Sequence, residues 1–249
     1  DDGEKAHVVL SWLLGKTSDV RDRLDMHLLT GVLLENSASP LRHYLETCGL
    51  GESPSPMCGL DDNGREMSFS CGLEGSDALK TVEIEQGILT VLREVAEQGV
   101  PREDVEAVLH QVELSQREIG GDSYPYGLQL ILNGLGAALQ DSDPLALWDV
   151  DAVLAEMREA IAHPDYIGNL IRRTLLDNPH RVRLTLKPDT GLSARQQAAE
   201  AAQLARRQER MTAEEKAAVQ TLARDLQQRQ AMIDDVSVLP KVGLADVPA

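Results

Sequence analysis

Arg65-Glu66-Met67-Ser68-Phe69-Ser70-Cys71-Gly72-Leu73 alternates with a period of two. Met67, Phe69, Cys71 and Leu73 fall on one side, and Ser68, Ser70 and Gly72 on the other. That is the pattern of a β-strand with one buried face and one face of small residues. Upstream, Asp61-Asp62-Asn63-Gly64 is a strong turn signal, so Ser53–Leu60 reads as the hairpin partner. Ala6–Leu14 (AHVVLSWLL) is short, apolar and strand-like, and Arg181–Lys187 (RVRLTLK) alternates charged and apolar residues as a closing strand with one wet face.

Helical patterns fill the space between these strands. Thr17, Ser18 or Asp19 can cap a helix whose apolar face carries Leu24, Leu28 and Val32, flanked by Leu29 and Leu33. It ends near Glu35-Asn36. Ser39 as N-cap and Pro40 at the first helical position restart a short helix, which Gly49 and Gly51 end. Ser76-Asp77 caps a helix to about Gln98; Pro101 opens another to about Glu118, halted by Gly120-Gly121. Tyr126–Leu139, Asp149–Ala162 and Asp165–Leu175 follow as helices. Paired strands with helices clustered between them give an α+β fold, a sheet covered by helices on one face.

From Leu192 the composition changes to Ala, Gln, Arg and Glu without an aromatic residue up to Gln230. Ser193 begins one helix and the capping box Thr212-Ala213-Glu214-Glu215 begins a second. Leu204 and neighbouring alanines are expected to face Val219, Leu222 and Leu226 across an antiparallel helical hairpin. The domain organisation is therefore read as residues 1–191, an α+β domain; 192–232, the hairpin; and 233–249, a lead into a further domain. An opening almost directly on a strand and the ending Leu239-Pro240-Lys241-Val242 suggest a piece cut from a longer polypeptide.

Composition narrows the function. A net charge of −17 argues against nucleic acid or an anionic membrane as partner. Residues 193–231 hold seven Lys/Arg and five Asp/Glu, net +2, which leaves −19 for the rest. That acidity serves solubility or attracts basic peptides. No apolar run approaches the roughly 20 residues of a membrane span, and a soluble protein of a cytoplasmic (bacterial) or organelle matrix-like compartment is expected. Cys48, Cys58 and Cys71 lack metal-ligand spacing and read as reduced thiols. The turn at 61–64 does not set Cys58 opposite Cys71. No G-x-S-x-G elbow exists, and Gly120-Gly121-Asp122-Ser123 lacks the lysine of a phosphate loop.

Asn36-Ser37-Ala38-Ser39-Pro40-Leu41, Gly49-Leu50-Gly51, Phe69-Ser70-Cys71-Gly72-Leu73-Glu74-Gly75 and Tyr124-Pro125-Tyr126-Gly127-Leu128, in this order, form an ordered set. With the terminal hairpin and its Leu-Pro-Lys-Val tail, the set resembles the presequence-protease branch of the pitrilysin-like zinc metallopeptidases over nearly the whole chain. The resemblance implies a pitrilysin-like metallopeptidase domain: the non-catalytic second domain of four, with the connecting hairpin. The parent would be a zinc metalloendopeptidase that degrades unfolded peptides in a closed chamber. Its zinc would sit in another domain, with none in this chain. Partners would be the other domains of the parent and its peptide substrates. The alternative is a catalytically dead peptide-binding or scaffolding module.

Where that family carries H-x-x-E-H, this sequence has His27-Leu28-Leu29-Thr30-Gly31. One ligand remains, without the base or the second histidine. Hydrolytic zinc needs three protein ligands, an open water position and a base. His110-Gln111-Val112-Glu113-Leu114 fails the same test, since Leu114 stands in place of the last histidine. An acidic residue of the Pro101–Glu118 helix, Glu113 or Glu118, could add at most a second ligand. No catalytic residue and no metal site are assigned. Ser39, Pro40, Arg117, Glu118, Tyr124 and Pro125 are read as structural or interdomain positions.

Overall fold

The computed structural model describes residues 5–117, 125–140 and 142–239, without the side chains of Gln116, Arg117, Asn133 and Val236. Glu118, Gly120-Gly121, Tyr124 and the tail from Pro240 lie outside the described residues. Two compact units divide between Pro188 and Asp189.

In the first unit, β1 (Ala6–Lys16), β2 (Ser53–Pro54), β3 (Gly59–Asp61), β4 (Glu66–Ser76) and β5 (Arg181–Leu186) form one antiparallel sheet, ordered β2-β4-β1-β5 with β3 also on β4. The alternation of the opening stretch sets its faces. Val8, Leu10 and Trp12 stand opposite Leu73, Cys71 and Phe69 on neighbouring strands, and all six are fully or almost fully buried in the core. Trp12 and Phe69 meet with ring centroids 6.0 Å apart, within the range where aromatic pairs gain beyond their buried area. On the other face Ser11 and Ser70 share a hydrogen bond of 2.7 Å between hydroxyls.

The helical layer comprises α1 (Val20–Leu34), α2 (Pro40–Thr47), α3 (Thr81–Gln98), α4 (Arg102–Arg117), α5 (Tyr126–Leu139), α6 (Asp151–Ala160) and α7 (Tyr166–Ile171). A π-helical turn, Arg172–Leu176, prolongs α7. Leu24, Leu28, Leu33, Ile84, Ile88 and Leu92 supply the helical side of the core. The Leu175 carbonyl, in the last turn where carbonyls lack helical partners, accepts from the Trp12 indole N–H at 2.8 Å. Asp19 is the residue that caps α1, accepting from the Asp22 N–H at 2.9 Å. Asp25 is buried on α1 and accepts from Arg21 Nε at 3.0 Å and from the Tyr166 hydroxyl, tying α1 to α7.

Several expectations need correction. Ser53–Leu60 is not one strand: Ser53 and Pro54 pair with Glu74 and Leu73, Gly59 pairs with Ser70, and the four residues between stand against two. Pro54 and Pro56 lack the N–H a continuous ladder needs, and the segment turns instead, with Cys58 N–H bonded to Ser55 C=O at 3.0 Å. The ladder between β3 and β4 begins only at Gly59, and the Cys58 side chain lies against the backbone of Gly72, the neighbour of Cys71. Both cysteines are free thiols, and Cys58 Sγ accepts from Gly72 N–H at 3.3 Å. The helix expected from Ser76-Asp77 starts at Thr81, because Asp77 closes a turn by accepting from the Leu79 N–H at 2.8 Å. The wet face of β5 is its apolar one. Arg181 and Arg183 turn to Glu85 on α3, while Val182, Leu184 and Leu186 are exposed.

In the second unit, α8 (Leu192–Arg210) and α9 (Ala213–Ala231) are joined through Met211 and Thr212. The capping box forms: Thr212 Oγ1 accepts from Glu215 N–H at 3.2 Å, and Glu215 Oε2 accepts from Thr212 N–H at 2.8 Å. The expected seam does not close. Leu204, Val219, Leu222 and Leu226 are each more than half exposed, and no residue of either helix is buried. Alanine-rich faces offer too little apolar area to pull two isolated helices together.

Candidate functional site

The helix that would carry the metal motif is α1, and its geometry is filled by protein. Gly31 packs against α4: a Cβ built there would lie 2.4 Å from Cγ1 of Val108. A side chain at the position of the second ligand histidine would therefore have to displace Val108. Thr30, in the place of the base, has a buried hydroxyl without a hydrogen-bond partner among the described residues. His27 Nε2 lies 3.0 Å from Oδ2 of Asp62, in the turn between β3 and β4. The hydrogen bond from His27, partly opposed by burial, holds the Asp62 carboxyl below the usual carboxylate range.

The donors do not fit a hydrolytic zinc. His27 and Asp62 would be two ligands, and the helical position of the third is occupied by α4. Among the described residues no group of three or more His, Cys, Asp or Glu is placed to hold a metal ion. Glu113 is engaged with Arg158 on α6. Glu118, the other acidic candidate, lies outside the described residues.

Ser39 is buried and is the N-cap residue of α2, but its side chain makes no capping bond. Its hydroxyl accepts from the Asn36 N–H at 3.4 Å and points to the Gly31 carbonyl at 3.5 Å, locking the α1–α2 corner. Pro40 is the first residue of α2, as expected. Arg117 is the last residue of α4, its side chain undescribed; Tyr124 lies outside the described residues, and Pro125 is the exposed N-cap of α5. Among the described residues, Ser39 and Pro40 share the α1–α2 corner, and Pro125 stands apart from them at the start of α5.

His27 does converge with other residues on one cavity, but the arginine and the aspartate beside it carry no sequence motif. Arg23 sits one turn before His27 on the same side of α1. With Asp62 it lines a cavity of about 290 Å³ walled by Tyr126, Leu130 and Trp148. Arg23 also borders a neighbouring cavity of about 330 Å³ beside Asn63 and Leu135. Its Nε is buried and makes no hydrogen bond among the described residues. Burial draws the guanidinium below its ordinary range, with Asp62 pulling the other way. The single sequence signal was the i, i+4 spacing of Arg23 and His27, which reads as an ordinary solvated helix face.

Comparison with known proteins places this geometry. Residues 1–112 match the model of the peptidase M16 inactive domain, and residues 186–249 that of the associated region of peptidase M16 subfamily C. The chain is 30% identical to presequence protease 1, chloroplastic/mitochondrial, of Arabidopsis thaliana, covering 99% of this chain and 24% of that protein. It is 25% identical to the mitochondrial presequence protease of Yarrowia lipolytica, over 99% of this chain and 25% of the relative. It thus spans about a quarter of the length of the curated relatives it matches. An inactive peptidase domain from Bordetella parapertussis has the same fold, with a TM-score of 0.55 at 14% identity, covering 75% of this chain and 92% of that one. The periplasmic protease PqqL from Escherichia coli matches with a TM-score of 0.53 at 15% identity, over 76% of this chain and 20% of its own. The chain belongs to the M16 peptidase family, in its presequence-protease branch, as an inactive peptidase domain followed by the associated region of subfamily C.

Proposed function

We propose that this chain is the non-catalytic wall and linker of a longer zinc metalloendopeptidase that degrades unfolded peptides, with the catalytic zinc held by another domain. The observation that carries the reading is the Gly31–Val108 contact, since packing occupies the place a ligand would need. The presequence protease names of relatives four times as long support the parent activity. Residues 1–191 form the inactive domain, 192–232 the linker and 233–249 the lead into a following domain. The unclosed seam fits a linker whose apolar stripe is completed by other domains of the parent. The chain by itself neither binds catalytic zinc nor cleaves peptides.

The test is His27→Ala in the full-length parent, with peptide cleavage and bound zinc measured together. Both are expected to stay near the unsubstituted level. Stoichiometric zinc in the purified 249-residue chain, with peptide cleavage that disappears in His27→Ala, overturns the assignment.

A further inference from the structure

The cavity beside the lost metal site holds a guanidinium that the Asp62 carboxylate attracts but does not bond. Arg23 is half-buried on α1, and among the described residues its guanidinium makes no hydrogen bond or ion pair, with Nε sealed from solvent. Asp62 does not answer it directly, because its Oδ2 is given to His27. Buried cations are ordinarily paired, since leaving a desolvated charge and its N–H groups unmatched is costly.

The walls specify what could answer it. Tyr126 and Leu130 on α5, with Leu147, Trp148 and Val150, give the cavity an apolar and aromatic side opposite Arg23. Trp148 is 42% and Tyr126 40% exposed, so each presents open ring surface. A guanidinium fork matches a planar carboxylate in bidentate geometry. One cation beside the negative Asp62 favours a monoanion over a phosphate dianion. The volume of about 290 Å³ suits one side chain rather than a folded partner.

We propose that this cavity is a binding site for a carboxylate borne on an apolar group, with Arg23 gripping the charge and Trp148 and Tyr126 covering the apolar part. Two sources share that chemistry: the terminal carboxylate of a peptide ending in an apolar residue, and an Asp or Glu side chain from elsewhere in the longer protein. The site concerns this chain's own residues and does not depend on the parent being a peptidase.

The test uses the 249-residue chain and three probes: N-acetyl-leucine, its neutral amide, and N-acetyl-glutamate α-amide, whose only charge is in the side chain. Binding is read by calorimetry and by tryptophan fluorescence. N-acetyl-leucine is expected to bind at least tenfold tighter than its amide and to change the Trp148 emission. Arg23→Gln should reduce the acid to the level of the amide without lowering the melting temperature, and Arg23→Lys should fall between. Trp148→Phe should abolish the fluorescence change while calorimetric binding persists. Tight binding of the glutamate amide instead identifies an acidic side chain as the occupant. Equal binding of acid and amide, no binding of either acid, or binding unaffected in Arg23→Gln overturns the proposal.

Discussion

Replacing Gly31 by alanine sets two large effects against each other, and the structure decides which wins. On helix propensity alone, Gly→Ala in the interior of α1 should stabilise by about 1 kcal/mol. The added Cβ, however, would lie 2.4 Å from Val108 Cγ1, more than 1 Å inside the ~3.5–4.0 Å of an optimal carbon contact. Val108 cannot swing away cheaply, because a β-branched side chain in a helix has essentially one χ1 rotamer. Overpacking of this kind costs roughly 1–3 kcal/mol, so the net change should be a loss of about 0–2 kcal/mol. The decisive quantity is the coupling. Val108→Ala removes the obstruction, and in the Gly31→Ala/Val108→Ala double variant the helix-propensity gain should return. A double-mutant cycle measured by urea unfolding should then give a coupling of roughly 1–3 kcal/mol. Stabilisation by Gly31→Ala alone near the propensity value, or additivity of the two changes within about 0.5 kcal/mol, would refute the claim that α4 fills the second-ligand position.

Asp25→Ala strands Arg21 and Tyr166 around a buried vacancy and should cost about 3 kcal/mol, as breaking a buried pair does; Tyr166→Phe removes both the bond donated to Asp25 and the one accepted from Arg21 and should cost roughly 1.5–3 kcal/mol, both read from unfolding midpoints. Because the folded-state pKa of Asp62 is depressed, its contribution is complete above the ordinary carboxylate pKa of about 4 and drains away as pH falls through the folded value. The difference in melting temperature between the unsubstituted chain and Asp62→Asn should therefore be largest near neutrality and shrink on acidification below about pH 4; a pH-independent difference would contradict the His27–Asp62 bond as its source. Burial pushes the Cys71 thiol well up and the Cys58 thiol up to a lesser degree. Alkylation at neutral pH should leave Cys71 unmodified in the native chain and label it at the rate of global unfolding in denaturant.

Local signals survived folding where one element decided the outcome. The alternation from Met67 to Leu73, the Pro40 helix start, Tyr126–Leu139 and the Thr212 capping box are set by neighbours in sequence, and each is formed. What failed depended on partners. The break at Ser55–Cys58 follows from prolines whose effect depends on which ladder position they meet. The inversion of β5 follows from Glu85, nearly a hundred residues earlier, which draws Arg181 and Arg183 inward. In the hairpin, apolar spacing marked a stripe but could not say that two such stripes would leave each other exposed. The candidate site divides the same way. His27, Thr30 and Gly31 were legible as a lost motif. Val108 filling the gap, Asp62 holding the histidine and an Arg23 Nε without a hydrogen bond among the described residues are tertiary facts with no local signature.

The inversion of β5 has a consequence for how this chain behaves at high concentration. Natural sheet edges are commonly guarded by charged side chains that make a second strand unwelcome. Here the two arginines best placed for that duty are committed to Glu85, and the outermost strand of the described sheet offers Val182, Leu184 and Leu186 to water. A Val/Leu-rich edge with its sentries turned inward is a template for sticking to another copy. Light scattering should therefore rise with protein concentration, and a lysine introduced by Leu184→Lys, on the exposed side and away from the core, should suppress that rise while leaving the melting temperature nearly unchanged.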